Sequence, residues 1–179
     1  MIATEKTIST QNIFKGRVLE FRVDTVELPD GATATRELVH HPGGVAVVPV
    51  DDNGFVYLVR QFRKPYDEVV LEIPAGKRDL DEEPLNCAKR ELSEETGLTA
   101  EEYIYFGEFY PTPGYVDEVI HIYMALKLKS GKAHPDSDEY VECDKLHIDT
   151  LCNMIMNNEI KDGKTIAAIL KAKMYLDKK

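Results

Sequence analysis

Apolar and polar positions alternate with a short period over the first part of the chain, which predicts β-strands. Residues 12–41 alternate imperfectly around a Pro-Asp-Gly turn at 29–31, so they predict strands joined by turns. Residues 44–50 (GVAVVPV) are a continuous β-branched run, typical of a strand buried on both faces. A turn is predicted at 51–54, with residues 55–62 (FVYLVRQF) as the second arm of a hairpin.

The period becomes helical in the second half of the chain. An early proline and a glycine just past the end predict a helix at 84–96. The order of elements favours a mixed α/β (α+β) class, with a strand-rich start and then a sheet flanked by helices. The other predicted elements are a strand at 69–73 broken by Pro74-Ala75-Gly76, strands at 103–110, 118–128 and 140–146, a loop at 130–139, a helix at 150–157 capped by Asp149, and a helix at 164–176.

Composition and charge narrow the class of protein. The 179 residues suit one domain with a sizeable core, and 43% hydrophobic with 30% charged residues is typical of a globular chain. A net charge of −10 without a basic stripe argues against a nucleic-acid partner. No apolar run predicts a membrane span or a signal peptide, so no membrane partner is expected. Three widely spaced cysteines suggest neither disulfides nor a zinc site, which favours the cytoplasm.

One group of carboxylates stands out from this acidic composition. Glu91, Glu94 and Glu95 lie at i, i+3 and i+4 of the predicted helix, so they share one face with Cβ atoms roughly 5–6 Å apart. Arg90 is one turn before Glu94 and can hold carboxylates by bidentate hydrogen bonds. Crowded carboxylates on an anchored helix suit Mg²⁺, whereas a solvated acidic helix is the alternative. The apolar stripe expected to anchor the helix consists of Leu85, Ala88 and Leu92.

The sequence around these glutamates separates the two interpretations. Residues 76–98 read GKRDLDEEPLNCAKRELSEETGL. This segment resembles the Nudix hydrolase signature, in which a glycine, five residues, a glutamate and seven residues precede REUxEExGU, where U is aliphatic. Every fixed position and both aliphatic positions match.

The resemblance implies a fold and a set of metal ligands. The implied fold is a Nudix-type α/β/α sandwich with a mixed sheet. The implied chemistry is hydrolysis of a diphosphate linkage, in which Mg²⁺ or its substitute Mn²⁺ neutralises phosphoryl oxygens and activates a water. The implied metal residues are Glu91, Glu94, Glu95, the carbonyl of Ala75 and, in support, Glu82, with catalytic roles for Glu94 and Arg90.

Segments outside the signature resemble the ADP-ribose pyrophosphatase branch of the family. Residues 108–118 (EFYPTPGYVDE) match a segment of that branch in which a glutamate faces the substrate. A plain turn is the alternative for this segment. The motif QFR at 61–63 places an arginine where the branch contacts phosphate or ribose oxygens. The resulting substrate-binding residues are Arg63, Gly114 and Glu118, with Arg36 and Glu37 as candidates for base or ribose contacts.

The N-terminal segment resembles the small additional antiparallel β-sheet of the same branch. We therefore expect residues 1–42 to form this extension and residues 43–179 to form the Nudix domain. The resemblance implies a homodimer that is domain-swapped through the extension, which also contributes to the substrate pocket. An exposed charge pair is the alternative for Arg36 and Glu37. Phe14 and Phe21 either stack on adenine or belong to the core.

The general base is expected on the loop before the last strand. In the branch a glutamate on this loop performs the role, and Glu139 is the residue implied here, with Asp138 and Glu142 as alternatives. The alternative interpretation is a hydrophilic loop that has no catalytic role. The five histidines do not have metal-ligand spacing and are expected to be structural or surface residues.

The leading hypothesis is hydrolysis of ADP-ribose, a nucleotide-sugar substrate, to AMP and ribose 5-phosphate. Another nucleoside-diphosphate sugar, such as GDP-mannose or a different ADP-sugar, is the close alternative. A non-catalytic nucleotide sensor is an alternative from another class, although the intact signature argues against it. Hydrolysis of damaged nucleoside triphosphates is a third alternative.

Overall fold

The computed structural model describes residues 4–134 and 140–178. Contacts between Cα atoms group the chain into two compact units. The first comprises the described residues of Met1–Gly43 together with Tyr110–Val119, and the second comprises Gly44–Phe109 and the described residues of Ile120–Lys179. The elements are β1 Lys6–Lys15, β2 Glu20–Glu27, β3 Thr33–His40, β4 Gly44–Pro49, β5 Phe55–Arg63, β6 Glu68–Glu72, β7 Ala75–Lys77, α1 Pro84–Thr96, β8 Leu98–Phe109, β9 Ile120–Ser130, β10 Val141–His147, α2 Ile148–Met156 and α3 Gly163–Leu176.

The first unit is built on a three-stranded antiparallel sheet in the order β1-β2-β3. The predicted turn between β2 and β3 is present, and Gly31 adopts a φ of 84° there, a conformation that favours glycine. The segment 110–119 joins this unit through the end of β3. The Val39 N–H donates to Tyr115 O at 2.8 Å, and the Asp117 N–H donates to Val39 O at 3.1 Å.

The second unit contains a mixed four-stranded sheet in the order β7-β4-β9-β8. Strands β4 and β9 are parallel, whereas the other two pairs are antiparallel. Every residue of β4 is buried, as its unbroken apolar run predicts. Val45 and Val47 pack in one core cluster with α1, while Ala46 and Val48 pack in the other with α2 and α3. Helices therefore cover both faces of this sheet.

The predicted hairpin between residues 44–50 and 55–62 is wrong in its pairing. The turn is present, because Asp51 Oδ1 accepts the N–H groups of Asn53 at 2.9 Å and Phe55 at 3.0 Å. Beyond the turn, the isolated bridge Val50–Val56 is the only β-pairing between these two segments among the described residues. Strand β5 instead belongs to a second sheet, in the order β10-β5-β6. The turn thus carries the chain from one sheet to the other.

The helices begin and end mostly where the sequence predicts. Helix α1 runs from Pro84 to Thr96, and Gly97 closes it with a φ of 70°. The predicted cap of α2 is wrong: α2 starts at Ile148, and its N-cap is His147, whose side chain accepts the Asp149 N–H. Asp162 caps α3 by accepting the Thr165 N–H at 2.9 Å.

The expected mixed α/β (α+β) class with a small N-terminal antiparallel sheet is confirmed. Among the described residues, no helix has the length and apolarity needed to cross a membrane.

Candidate active site

Helix α1 carries the glutamates on the side that faces the sheet. Glu91 is 6% exposed and Glu95 is 2% exposed, so these two carboxylates are buried, while Glu94 is half-buried. The apolar stripe that anchors α1 differs from the prediction, because Leu85 is exposed. The buried apolar residues of the helix are Cys87, Ala88 and Leu92.

Gly76 lies directly beneath the Glu91 carboxylate. A Cβ atom at Gly76 would be 2.0 Å from Glu91 Cδ, so a side chain at this position would force the Glu91 carboxylate to move. The predicted break after the strand at 69–73 is present, because β6 ends at Glu72, but Ala75–Lys77 then forms the short edge strand β7 against β4, which was not predicted. The Ala75 N–H donates to Glu95 Oε2 at 3.1 Å. The glycine therefore lets the strand approach the carboxylates of the helix closely.

Arg90 holds three of the glutamates together, as the sequence predicts. Its guanidinium donates to Glu82 Oε1 at 3.0 Å and Oε2 at 2.9 Å, to Glu91 Oε1 at 2.8 Å and to Glu94 Oε2 at 3.0 Å. The hydrogen bonds from Arg90 are the main reason that the pKa of Glu82 is lowered to about 2. Hydrogen bonding to Glu82 in turn raises the pKa of Arg90. Glu82 is consequently ionised at neutral pH in this arrangement.

The loop before α1 is folded around Glu82. The Arg78 guanidinium donates to the Glu82 backbone O from Nε at 3.0 Å and Nη2 at 2.6 Å, and the Asp79 N–H donates to Glu82 Oε2 at 3.1 Å. Beneath it, burial and then the neighbouring Glu82 raise the pKa of the Cys87 thiol. Arg78 and Cys87 were not singled out in the sequence, because their contacts are set by the loop conformation.

The donor set fits a hard divalent cation, although the side chains are not arranged as a closed metal site. In residues 4–134 and 140–178, no three carboxylate, imidazole or thiol groups are placed to hold a metal ion. Instead, Arg90 occupies the centre of the carboxylates, and three of them share its single positive charge. Oxygen ligands with excess negative charge, next to a backbone that glycine leaves accessible, are what Mg²⁺ requires.

Arg63 takes part in a second group of charges that the sequence did not reveal. It donates from Nε to Glu72 Oε1 at 2.6 Å and from Nη2 to Glu72 Oε2 at 2.7 Å. Lys164 also donates to Glu72 Oε2 and lies 3.1 Å from Asp162 Oδ2. Burial alone would raise the pKa of Glu72, but hydrogen bonds from Arg63 and the charge of Lys164 lower it overall.

The other predicted substrate residues belong to the first unit. Arg36 pairs with Glu5, donating from Nε to Oε2 at 2.9 Å, and Glu37 is exposed on the opposite face of β3. Glu118 Oε1 lies 3.3 Å from His41 Nδ1. Gly114 is exposed, and an added Cβ atom there would meet no atom within 4 Å. Phe14 is 62% exposed, so it is not a core residue.

The candidates for the general base divide between two parts of the chain. Glu139 and Asp138 lie outside the described residues. Glu142 is exposed on β10. Nearby, the Cys143 thiol donates to the backbone O of Glu95 at 3.2 Å, so β10 contacts the end of α1.

Residues 40–168 match the NUDIX domain, and residues 5–39 match the nucleoside diphosphate sugar hydrolase N-terminal domain. The chain therefore belongs to the Nudix family of hydrolases, which confirms the resemblance.

Several known proteins are similar along most of their length. A Bacillus subtilis (strain 168) protein named ADP-ribose pyrophosphatase is 43% identical over 167 residues, covering 92% of this chain and 90% of that protein. A Bacillus methanolicus protein named methanol dehydrogenase activator is 44% identical over 167 residues, with coverage of 92% and 90%. The crystal structure of an ADP compounds hydrolase covers 99% of this chain and 96% of its own, with a TM-score of 0.87. At 17% identity, that structure supports the fold alone.

Proposed function

We propose that this enzyme hydrolyses ADP-ribose to AMP and ribose 5-phosphate with Mg²⁺, for which Mn²⁺ can substitute. The observation that carries the proposal is the group of three carboxylates sharing one guanidinium above Gly76. A diphosphate needs such a site, because its hydrolysis builds negative charge that a bound cation offsets. The choice of ADP-ribose is supported by the Bacillus subtilis relative named ADP-ribose pyrophosphatase.

Each residue of the site has a defined part in this proposal. Glu91, Glu94, Glu95 and the Ala75 carbonyl would hold the cation, with Glu82 in support. When bound, the cation supplies charge neutralisation and lowers the pKa of water. Arg90 holds Glu82, Glu91 and Glu94 in one place, which limits their mutual repulsion.

The substrate is oriented by side chains outside the signature. Arg63 would donate to a phosphate oxygen, because the guanidinium is planar, always charged and half-exposed. Glu139 would remove the proton from the attacking water, with Asp138 and Glu142 as the alternatives. The remaining proposed substrate contacts are Arg36, Glu37, Gly114 and Glu118.

The proposal includes a cytoplasmic homodimer that is domain-swapped through the N-terminal sheet. Strand β1 supports a dimer, because it is an edge strand with all ten residues exposed. Its apolar residues Ile8 and Phe14 are 54% and 62% exposed. Free thiols at Cys87, Cys143 and Cys152 support a reducing compartment.

Another nucleoside-diphosphate sugar is the second candidate substrate. The match of residues 5–39 to the nucleoside diphosphate sugar hydrolase N-terminal domain favours this wider class, which includes GDP-mannose and other ADP-sugars. A non-catalytic nucleotide sensor is less well supported, because the carboxylates of the signature are all present.

Product analysis tests the proposal directly. The purified full chain is incubated with ADP-ribose and MgCl₂, and the products are separated by ion-exchange chromatography. We expect AMP and ribose 5-phosphate in equal amounts, no products with EDTA, and recovery with added Mg²⁺ or Mn²⁺. A parallel panel of GDP-mannose and other ADP-sugars is ranked by kcat/KM. A higher kcat/KM for a different sugar nucleotide would move the assignment to that substrate, and no turnover of any would refute it.

A further inference from the structure

Glu72 is a buried charge in a position that the core could have filled with an apolar residue. Its side chain is 3% exposed at the end of β6, between the buried residues Leu71 and Ile73. Burying a carboxylate costs several kcal/mol unless its oxygens are paired with cations and hydrogen-bond donors. A buried carboxylate is therefore expected where it fixes the orientation of another group.

The group that Glu72 fixes is the guanidinium of Arg63. The two parallel hydrogen bonds from Nε and Nη2 determine the plane of the guanidinium as well as its position. They use one edge of the group, so Nη1 lies on the side away from Glu72. The Arg63 side chain is 38% exposed and that of Glu72 is 3% exposed, so Arg63 is the member of the pair that a ligand can reach.

The first turn of α3 holds Glu72 from the other side. Lys164, with an 11% exposed side chain, donates to Glu72 Oε2 and lies 3.1 Å from Asp162 Oδ2. The next residue, Thr165, accepts the Ile73 N–H on Oγ1 at 2.9 Å. Two cations and two carboxylates thus form a charge-balanced group, named here the Glu72 network: Arg63, Glu72, Asp162 and Lys164.

The Glu72 network is adjacent to the carboxylates of α1. Glu72, Val59 and Cys143 are register partners across β6, β5 and β10, and Cys143 contacts the backbone O of Glu95. Two residues beyond Ile73, the Ala75 N–H donates to Glu95 Oε2. The charge of Glu95 also contributes to the raised pKa of Arg63, after the larger contribution of Glu72.

We infer that Glu72 and Lys164 are positioning residues that aim Arg63 at the diphosphate of the substrate. This inference rests on the proposed function, in which Arg63 donates to a phosphate oxygen. Lys164 neutralises the share of the Glu72 charge that Arg63 does not, so that Nη1 keeps its attraction for a phosphate. Without Lys164, the excess charge of Glu72 lies beside Arg63 and weakens binding of an anion.

Replacement of Lys164 by Met tests this role. We expect kcat/KM for ADP-ribose to fall about 10-fold to 100-fold, as is typical when a partner of a ligand-binding residue is removed. The loss should be mostly in KM, because the interaction concerns binding of the phosphate in ground and transition states. Lys164→Arg restores the charge and should recover most of the affinity.

Lys161→Met is the matched control. Lys161 is three residues earlier in the chain and pairs with Glu68 at 3.2 Å, but its side chain is 67% exposed. Its removal should leave KM and kcat within about twofold of the wild type, because an exposed ion pair contributes little. An equal rise of KM in both variants would overturn the inference.

A double mutant separates positioning from a general effect on the fold. If Lys164 acts through Arg63, then Arg63→Ala with Lys164→Met has the same KM as Arg63→Ala alone. Independent, additive effects would refute the inference. Circular dichroism and thermal melting of each variant establish that the protein remains folded.

A binding measurement keeps this test separate from the substrate assignment. Inorganic pyrophosphate with Mg²⁺ is titrated by calorimetry into the wild type, Lys164→Met and Lys161→Met. We expect the Kd of pyrophosphate to rise about 10-fold in Lys164→Met alone. If the wild type does not turn over ADP-ribose, the proposed function fails, but the ratio of the Kd of Lys164→Met to the Kd of the wild type still tests the inference. A ratio of one would overturn the inference.

Discussion

Two of the groups of carboxylates and cations in the described part of the second unit differ in charge balance. Around Arg90, the carboxylates of Glu82, Glu91 and Glu94 share a single guanidinium. In the Glu72 network, two carboxylates meet two cations. Both groups use bidentate arginine pairs, so hydrogen-bond geometry does not distinguish them.

The difference indicates which group needs a ligand. Carboxylates in excess of their cations repel one another, and a divalent cation relieves the repulsion. A balanced group gains nothing from a further cation, so its stability depends on its own members. We therefore assign the metal to the group around Arg90 and a supporting role to the Glu72 network. The following predictions test this division.

The largest effect is expected from Glu95→Gln. The amide keeps the size of the side chain and can still accept the Ala75 N–H, but it removes one negative charge. We expect kcat for ADP-ribose to fall at least about 10²-fold to 10³-fold, with a higher Mg²⁺ concentration at half-maximal rate. Steady-state kinetics across a Mg²⁺ titration measures both changes.

Glu101→Gln is the control for the loss of one carboxylate. Glu101 is exposed on β8 and pairs only on the surface with Lys129 at 2.7 Å. Its kinetics and its Mg²⁺ dependence should match those of the wild type. If Glu95→Gln retained wild-type turnover, the assignment of the metal to α1 would be wrong.

A smaller effect is expected from Gly76→Ala, because the new methyl group displaces a carboxylate without removing it. The Cβ would be 2.0 Å from Glu91 Cδ, so the Glu91 side chain has to move. We expect kcat/KM to fall about 10-fold to 100-fold. In Gly163→Ala the added Cβ would be 3.7 Å from Phe109 Cζ, an ordinary contact, and activity should be unchanged. Equal activity of the two variants would contradict the close approach at Gly76.

The smallest effect is the loss of stability expected in Glu72→Gln, which accompanies the loss of activity that follows from its contact with Arg63. The pKa of Glu72 is lowered from 4.5, so its ionised form stabilises the fold. This contribution is complete above pH 4.5 and is lost as the pH falls through the lowered pKa. We expect Glu72→Gln to reduce the free energy of unfolding by about 1–2 kcal/mol at pH 7 and by less at acidic pH.

Urea unfolding of the wild type and Glu72→Gln at several pH values measures this difference. Because the other carboxylates titrate alike in both proteins, their effect cancels when the two free energies of unfolding are subtracted. A gap that is independent of pH would show that Glu72 acts through its packing and not through its charge.

Local patterns in the sequence were sufficient for the bounds of α1 and for the signature. The bounds of α1 followed from Pro84 and Gly97, since both residues act on the backbone where they stand. The contact of Arg90 with Glu94 followed from helical spacing, because the two residues are one turn apart. Both results depend only on neighbours in sequence.

Features that depend on distant residues were missed. Lys164 and Glu72 are 92 residues apart, so no spacing rule connects them. The pairing of β4 with β9 instead of β5 is decided by how apolar faces are buried in the whole unit. The N-cap His147 was also missed, because histidine is not among the residues that usually accept a helix N–H.

The parallel pairing of β4 with β9 has a consequence for how the chain folds. Gly44 pairs with Ile120 and Pro49 pairs with Ala125, so the centre of the mixed sheet joins strands from distant parts of the chain. Bringing these distant strands together lowers the conformational entropy of the chain before the contacts between them form. During synthesis, β4 is made more than 70 residues before β9. Until β9 is available, the apolar β4 is an unpaired strand that can aggregate.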